Sequence, residues 1–326
     1  MNRQTRTLPQ LGGQVFLADG GIETSLIYLE NLDLPYFAAY HLLRNEDGKE
    51  TLRNYFRTYA RLARDAGTGV VLESATWRAS ADWGRLLGDD EKSLARLNRE
   101  AIVLLEELRQ EPEFAGVPIV VSGCIGPRGD GYRADAKMSV EEAAQYHAQQ
   151  AEILSSSGAD LITAITMTYP EEAIGITRAA TAADLPVVIS FTVETDGRLP
   201  SGHTLGEAIA LVDGATGNAP AYYMINCAHP GHFENALDPG APWASRVRGV
   251  RANASALSHA ELDAATELHA GNPDELGSEY RELFDRLPAL AVLGGCCGTD
   301  HRHIKAIAVA CAAKLTSSGQ RDQPAA

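Results

Sequence analysis

Residues 160–192 read DLITAITMTYPEEAIGITRAATAADLPVVISFT: two near-continuous apolar runs of β type, DLITAIT from Asp160 and PVVISFT from Pro186, on either side of a helix-like segment. Apolar runs without polar alternation are what parallel strands buried on both faces look like. Outward from this unit the same kind of run recurs. It appears as VFLADG from Val15, VVLES from Val70, PIVVSG from Pro118, AYYMINC from Ala221, VRGVRAN from Val247 and LAVLGGC from Leu290, which makes eight in all. The intervals carry a 3.6-residue apolar period, as in Leu52, Phe56, Tyr59, Ala63 and Ala66, then Leu94, Leu97, Ala101, Leu104 and Leu108, and later Tyr280, Leu283, Phe284 and Leu287. Each would lay one apolar stripe on a sheet. Ser139 followed by Glu142 forms a capping box that opens a further helix, with Gly158 as its stop.

Eight strand–helix units with right-handed crossovers close into an α/β fold, a (β/α)8 TIM barrel of a single domain. An open doubly wound sheet competes. The dinucleotide and phosphate fingerprints such a sheet usually carries, GxGxxG after the first strand or GxxxxGK[ST], are absent. The barrel is expected over residues 12–315, and the small polar stretch TSSGQRDQPAA, 316–326, is expected to be a disordered tail.

With 28 Lys plus Arg against 43 Asp plus Glu, the net charge of −15 lacks the basic footprint that nucleic acid or an anionic membrane surface requires. The start, MNRQTRTLPQ, has no apolar signal-type region, and no apolar run approaches the length of a membrane span. A cytoplasmic protein of small-molecule substrates follows, with homo-oligomerisation left open. Five cysteines, two of them adjacent, make a poor disulfide framework and read as ligands or core residues in a reducing compartment. Cys311, on the apolar stripe of the last helix, reads as core, and Cys124 stands too isolated to assign to a metal.

In a barrel the chemistry sits at the C-terminal ends of strands. Cys227 ends strand six and Cys296–Cys297 end strand eight, one strand apart, so three thiolates can converge on one rim. The glycines around Cys296 and Cys297 free the backbone to aim both sulfurs at one centre. Soft thiolates select zinc, and three protein ligands with one open position describe a catalytic site. Three thiolates over-neutralise the ion as an activator of water but suit a thiol substrate, which coordination deprotonates and leaves able to attack an electrophilic carbon.

DGG at 19–21, GPRG at 126–129, INC at 225–227 and GGCCG at 294–298, in that order and at those strand ends, resemble the homocysteine S-methyltransferase family over roughly residues 12–315. The resemblance implies a zinc-dependent TIM barrel in which Cys227, Cys296 and Cys297 bind Zn2+ and the homocysteine thiolate takes the open position. A sulfonium, betaine or corrinoid donor then gives up its methyl to form methionine, with a sulfonium, S-methylmethionine or S-adenosylmethionine, as the favoured donor. One departure stands out. The family usually carries an acidic residue followed by Thr or Tyr near the end of strand four, where it holds the substrate ammonium, and here that place reads Ile165-Thr166.

Glu73 after strand two or Glu194 after strand five could supply the missing carboxylate, with Glu194 favoured because strand five neighbours strand four. Asp19 and Gly20 are expected at the substrate, since an acidic side chain before two glycines leaves backbone N–H groups open to a carboxylate. Asn226 ends strand six beside Cys227 and is expected to line the substrate site. Trp77 and Tyr169 could face a methylated cation, and Arg78 stands where the family has a polar or aromatic residue. The alternatives are methylation of another small thiol or selenol, a metal hydrolase using His229, His232, His301 or His303, and a non-catalytic zinc or redox-sensing protein.

Overall fold

The computed structural model describes residues 8–135 and 137–317. Eight parallel strands close in sequence order into one barrel. They are β1 Phe16–Ala18, β2 Gly69–Glu73, β3 Ile119–Ile125, β4 Leu161–Met167, β5 Val187–Phe191, β6 Tyr222–Asn226, β7 Val247–Ala252 and β8 Val292–Gly295. The helices are α1 Ile22–Tyr28, α2 Glu46–Asp65, α3 Ala81–Leu86, α4 Glu91–Arg109, α5 Val140–Ser156, α6 Pro170–Ala182, α7 Leu205–Thr216, α8 Pro230–Phe233, α9 His259–Asp263, α10 Pro273–Arg286, α11 His301–Ala310 and α12 Ala312–Ser317. The expected capping box is present: Ser139 accepts from the Glu142 N–H, and the Glu142 carboxylate from the Ser139 N–H.

Strand alternation divides the core in two. Outward residues such as Leu17, Val70, Leu72, Val121, Ile162 and Ile189 meet the helical stripes in one large cluster that also contains Cys311, the core residue expected of it. Inward residues, among them Phe16, Val71, Val120, Leu161, Val188, Tyr222 and Val292, fill the barrel's N-terminal half. Each fully buried side chain of this size contributes about 1.5–3 kcal/mol. Leu8 joins that plug, and Gln10 Nε2 donates to the Tyr222 hydroxyl at 3.3 Å, so packing begins ahead of the start expected at residue 12. At the other end, residues 316 and 317 of the expected tail finish α12, and the rest of it, from 318, lies outside the described residues.

Two residues further along the same inward face the barrel turns polar. Ser122 and Thr163 share a hydrogen bond of 2.7 Å, and Ser190 donates to Asn226 Oδ1 at 2.6 Å. Glu73 and Arg251 complete the layer, all of it buried. Barrel strands that turn polar toward their C-terminal ends position a site at that mouth. Among the described residues no helix is long and apolar enough to cross a membrane.

Candidate active site

Above the polar layer lies a cavity of about 210 Å3, walled by the ends of β1, β2, β6 and β8 and by the loops after β3 and β7. The three cysteines expected to converge do so. Their sulfurs all lie within 4.8 Å of one another, the one such group of potential metal ligands among the described residues. Cys227 has φ of +53° and Thr166 beside it +67°, conformations that disfavour a side chain and a β-branched one above all. Asn226 holds the Thr166 turn and reaches toward the cysteines. Its Oδ1 accepts from the Thr166 N–H at 2.9 Å, and its Nδ2 donates to Thr166 Oγ1 at 2.8 Å and approaches Cys296 Sγ at 3.9 Å. Asn226 stands behind the cysteine cluster, and the residues that line the cavity itself are its neighbours Thr166, Cys227 and Cys296.

Zinc–sulfur bonds of 2.3 Å at tetrahedral angles put ligand sulfurs about 3.8 Å apart. Cys227 and Cys297 are 3.9 Å apart. Cys227 and Cys296 stand closer, as a disulfide with Cα atoms 5.4 Å apart, so they are paired where the sequence suggested unpaired ligands. The reason is proximity: strand ends close enough to share a metal are close enough to bond sulfur to sulfur. The two arrangements are oxidised and reduced states of the same atoms, and the donor set of the reduced state fits zinc. Cys297 is free, and burial pushes its thiol up to about 11.

None of the four histidines offered to a hydrolase joins the cluster. His229 Nδ1 caps α8 through the Gly231 N–H, and burial lowers it to about 4. His232 Nε2 bonds the Ala256 carbonyl, His303 sits between Asp300 and the Ala270 carbonyl, and His301 is exposed on α11.

Of the carboxylates expected at the substrate, Asp19, beside Gly20, and Glu73 line the cavity and Glu194 does not. Asp19 is committed to Arg251, whose Nη1 donates to its Oδ1 at 2.8 Å, while Tyr55 reaches its Oδ2 at 3.2 Å and the Gly20 carbonyl at 2.9 Å. Glu194 does not lean over β4. Its Oε1 faces His259 Nδ1 at 3.2 Å, outside the cavity wall, while His259 Nε2 donates to the Cys227 carbonyl at 2.6 Å. Glu73 is in the wall, 5% exposed, with Oε2 buried and unpartnered. Desolvation raises it to about 7 against the attraction of Arg251 and the hydroxyls of Ser122 and Thr163. Glu23, the second residue of α1, also lines the cavity, and desolvation raises it to about 7 as well.

Glu23 and His259 were missed in the sequence, and Tyr132 is legible there only as the end of GCIGPRGDGY, residues 123–132, which reads as a substrate-shaping loop. Glu23 follows DGG too closely to have been read apart from it. Tyr132 stacks on His259 with ring centroids 4.1 Å apart and brings its hydroxyl to 3.5 Å from Cys297 Sγ. His259 lies behind a capping box that signals only a helix start. Of the aromatic residues expected to face a cation, Trp77 lines the cavity with one ring face covered by Arg78, and its indole N–H donates to the Ile165 carbonyl at 3.3 Å. Tyr169 is buried away from it, its hydroxyl accepting from the Met138 N–H.

A closed parallel barrel with three cysteines gathered at its C-terminal mouth defines a barrel enzyme whose chemistry centres on sulfur. Residues 16–311 match the homocysteine S-methyltransferase family. The chain is 24% identical to homocysteine S-methyltransferase 4 of Zea mays over 266 residues, 75% of each chain. It is 26% identical over 317 residues to the methionine synthase of Mycobacterium leprae (strain TN), which takes in 94% of this chain and 25% of that one. Its fold is similar to that of the Escherichia coli homocysteine methyltransferase MmuM. The oxidized form superposes with a TM-score of 0.73 at 23% identity, covering 95% of this chain and 99% of that one. The metallated form gives 0.68 at 23% identity, covering 91% and 96%. The chain belongs to the homocysteine S-methyltransferase family.

Proposed function

We infer that this enzyme moves a methyl group from a sulfonium donor, S-methylmethionine or S-adenosylmethionine, to the thiol of homocysteine, with Zn2+ held by Cys227, Cys296 and Cys297. The observation that carries the reading is the convergence of those three sulfurs beside an acidic cavity. Zinc bound there would supply a deprotonated, electron-rich acceptor thiol at neutral pH. The chain's own residues do the rest. The Glu194–His259 pair holds the strand-six turn that carries Cys227, and Asn226 holds the Thr166 turn beside it. Arg251 and Tyr55 fix Asp19 and the Gly20 carbonyl, which leaves the backbone after β1 rigid against the cavity.

Glu73 is our choice for the ammonium of the acceptor. It is buried, unpartnered at one oxygen and faces the cavity, and Ile165 leaves the usual place without charge. A bound ammonium would hold its carboxylate ionised. The remaining step is in-line displacement, in which orientation supplies the rate and the donor sulfur takes the electron pair of its C–S bond and departs as a neutral thioether. No general base is needed beyond the route by which the thiol loses its proton to solvent on binding. A reducing cytoplasm suits this reading, since the Cys227–Cys296 disulfide has to open before the metal enters.

The test is to reduce the protein, load it with zinc, and incubate it with homocysteine and, separately, S-methylmethionine, S-adenosylmethionine and betaine, measuring methionine. Product with a sulfonium supports the reading, and product with betaine alone changes the donor. No methionine with any of the three, at stoichiometric zinc, sinks it.

A further inference from the structure

The cavity wall contains two arginines, and they are in opposite situations. Arg251 is neutralised by Asp19. Arg78 is 8% exposed and has no carboxylate within ion-pair distance among the described residues. Its guanidinium lies between two indoles, with Cζ 4.0 Å from the Trp77 ring centroid and 3.7 Å from that of Trp83. Its one protein acceptor is the Gly129 carbonyl, 2.9 Å from Nη1, while Nε is sealed with no partner at all. Nη2 has no hydrogen-bond partner among the described residues, on a side chain that lines the cavity.

A cation in this setting has given up water for little. Two indole faces hold it flat through cation–π contact, but they leave the in-plane donors unused, and a buried charge without a counter-ion is costly. Burial accordingly pulls Arg78 down to about 10, against the attraction of Asp130 and Glu23, and it is still charged at neutral pH. A guanidinium stacked on two indoles with Nη2 unused is preorganised for charge-assisted hydrogen bonding to a carboxylate.

We propose that Arg78 is the carboxylate anchor of this cavity, so that the site selects a ligand bearing a carboxylate as well as an ammonium. This rests on the function inferred above and deepens it. Glu73 takes the ammonium of an α-amino acid and Arg78 its carboxylate, and the sulfur end is left for the cysteine cluster. The same chemistry could come from the acceptor or from the donor.

Binding decides the matter without turnover. In reduced, metal-free protein, calorimetry compares methionine with 3-(methylthio)propylamine, which lacks the carboxylate. Wild type is expected to prefer methionine by about 10- to 100-fold, the scale of hydrogen bonds between charged groups. Arg78→Gln should erase that preference by weakening methionine alone, and Arg78→Lys should restore part of it. The pairs homocysteine against 3-mercaptopropylamine, and S-methylmethionine against its decarboxylated analogue, show which ligand loses its preference in Arg78→Gln. If Arg78 serves only to tie the loop through Gly129, the variant weakens both members of each pair equally, which overturns the proposal. A wild type without preference overturns it too, even if neither variant folds. Because no metal or transfer is involved, a carboxylate preference in a protein that makes no methionine would sink the functional reading and leave Arg78's role standing.

Discussion

Arg251 on β7 and Asp19 at the end of β1 form an ion pair of 2.8 Å whose side chains are 6% and 2% exposed. It spans the barrel seam across β8, between residues 232 positions apart. Each charge is tolerated only because of the other. Arg251→Met should therefore destabilise the barrel by about 3–5 kcal/mol, most of it the cost of leaving Asp19 charged and alone. Adding Asp19→Asn should recover part of the loss. Urea unfolding of wild type, single and double variants checks this, and a single variant within about 1 kcal/mol of wild type would contradict it.

Replacing Cys227, Cys296 or Cys297 by Ala should abolish stoichiometric zinc binding and methyl transfer while leaving the barrel folded, since the mouth lies outside both apolar clusters' main packing. Cys311→Ala should keep zinc, because that thiol is in the outer core. Metal analysis after reduction, with circular dichroism as the folding control, reads both. Full zinc in Cys296→Ala would refute the three-thiolate assignment.

The eight strands were legible because a parallel barrel buries both faces of every strand and so writes each as an apolar run. The three cysteines were legible because strand ends map directly onto the mouth. Arg251 was counted inside an apolar run, and nothing in VRGVRAN announces a partner as distant as Asp19. Glu194 is a related case: its position beyond β5 is legible, but its carboxylate faces His259, which the sequence does not bring near it.

Glu73 gives a pH dependence with a definite sign. Its carboxyl sits near 4.5 when unfolded and is raised to about 7 when folded, chiefly by desolvation, with Arg251, Ser122 and Thr163 opposing and Asp19 assisting. Between those values the folded state binds more protons than the unfolded one, so this group's stabilisation is complete below about 4.5 and is lost as pH rises through about 7. Ligand-free Glu73→Gln should lose that component, and its melting temperature should fall less than that of wild type between pH 5 and pH 8. Identical slopes for the two proteins would place the titration elsewhere.

Glu194 and His259 act on the cysteine cluster through the Cys227 carbonyl. His259 Nε2 holds that oxygen at 2.6 Å, Glu194 holds Nδ1 at 3.2 Å, and Tyr132 lies over the imidazole ring with its hydroxyl near Cys297. Cys227 itself adopts a left-handed φ of +53°, a conformation that persists only where its surroundings over-determine it. Loosening the support should therefore blur the aim of the sulfur. Changes to groups that orient metal ligands typically cost 10- to 100-fold in metal affinity. His259→Ala should fall in that range and Glu194→Gln toward its lower end, both measured by competition with a chelator under reducing conditions. Acceptor KM at saturating zinc should hardly move in Glu194→Gln, because its carboxylate stands outside the cavity wall. A raised KM with unchanged zinc affinity would instead return Glu194 to the substrate, as the neighbour of strand four that the sequence made it.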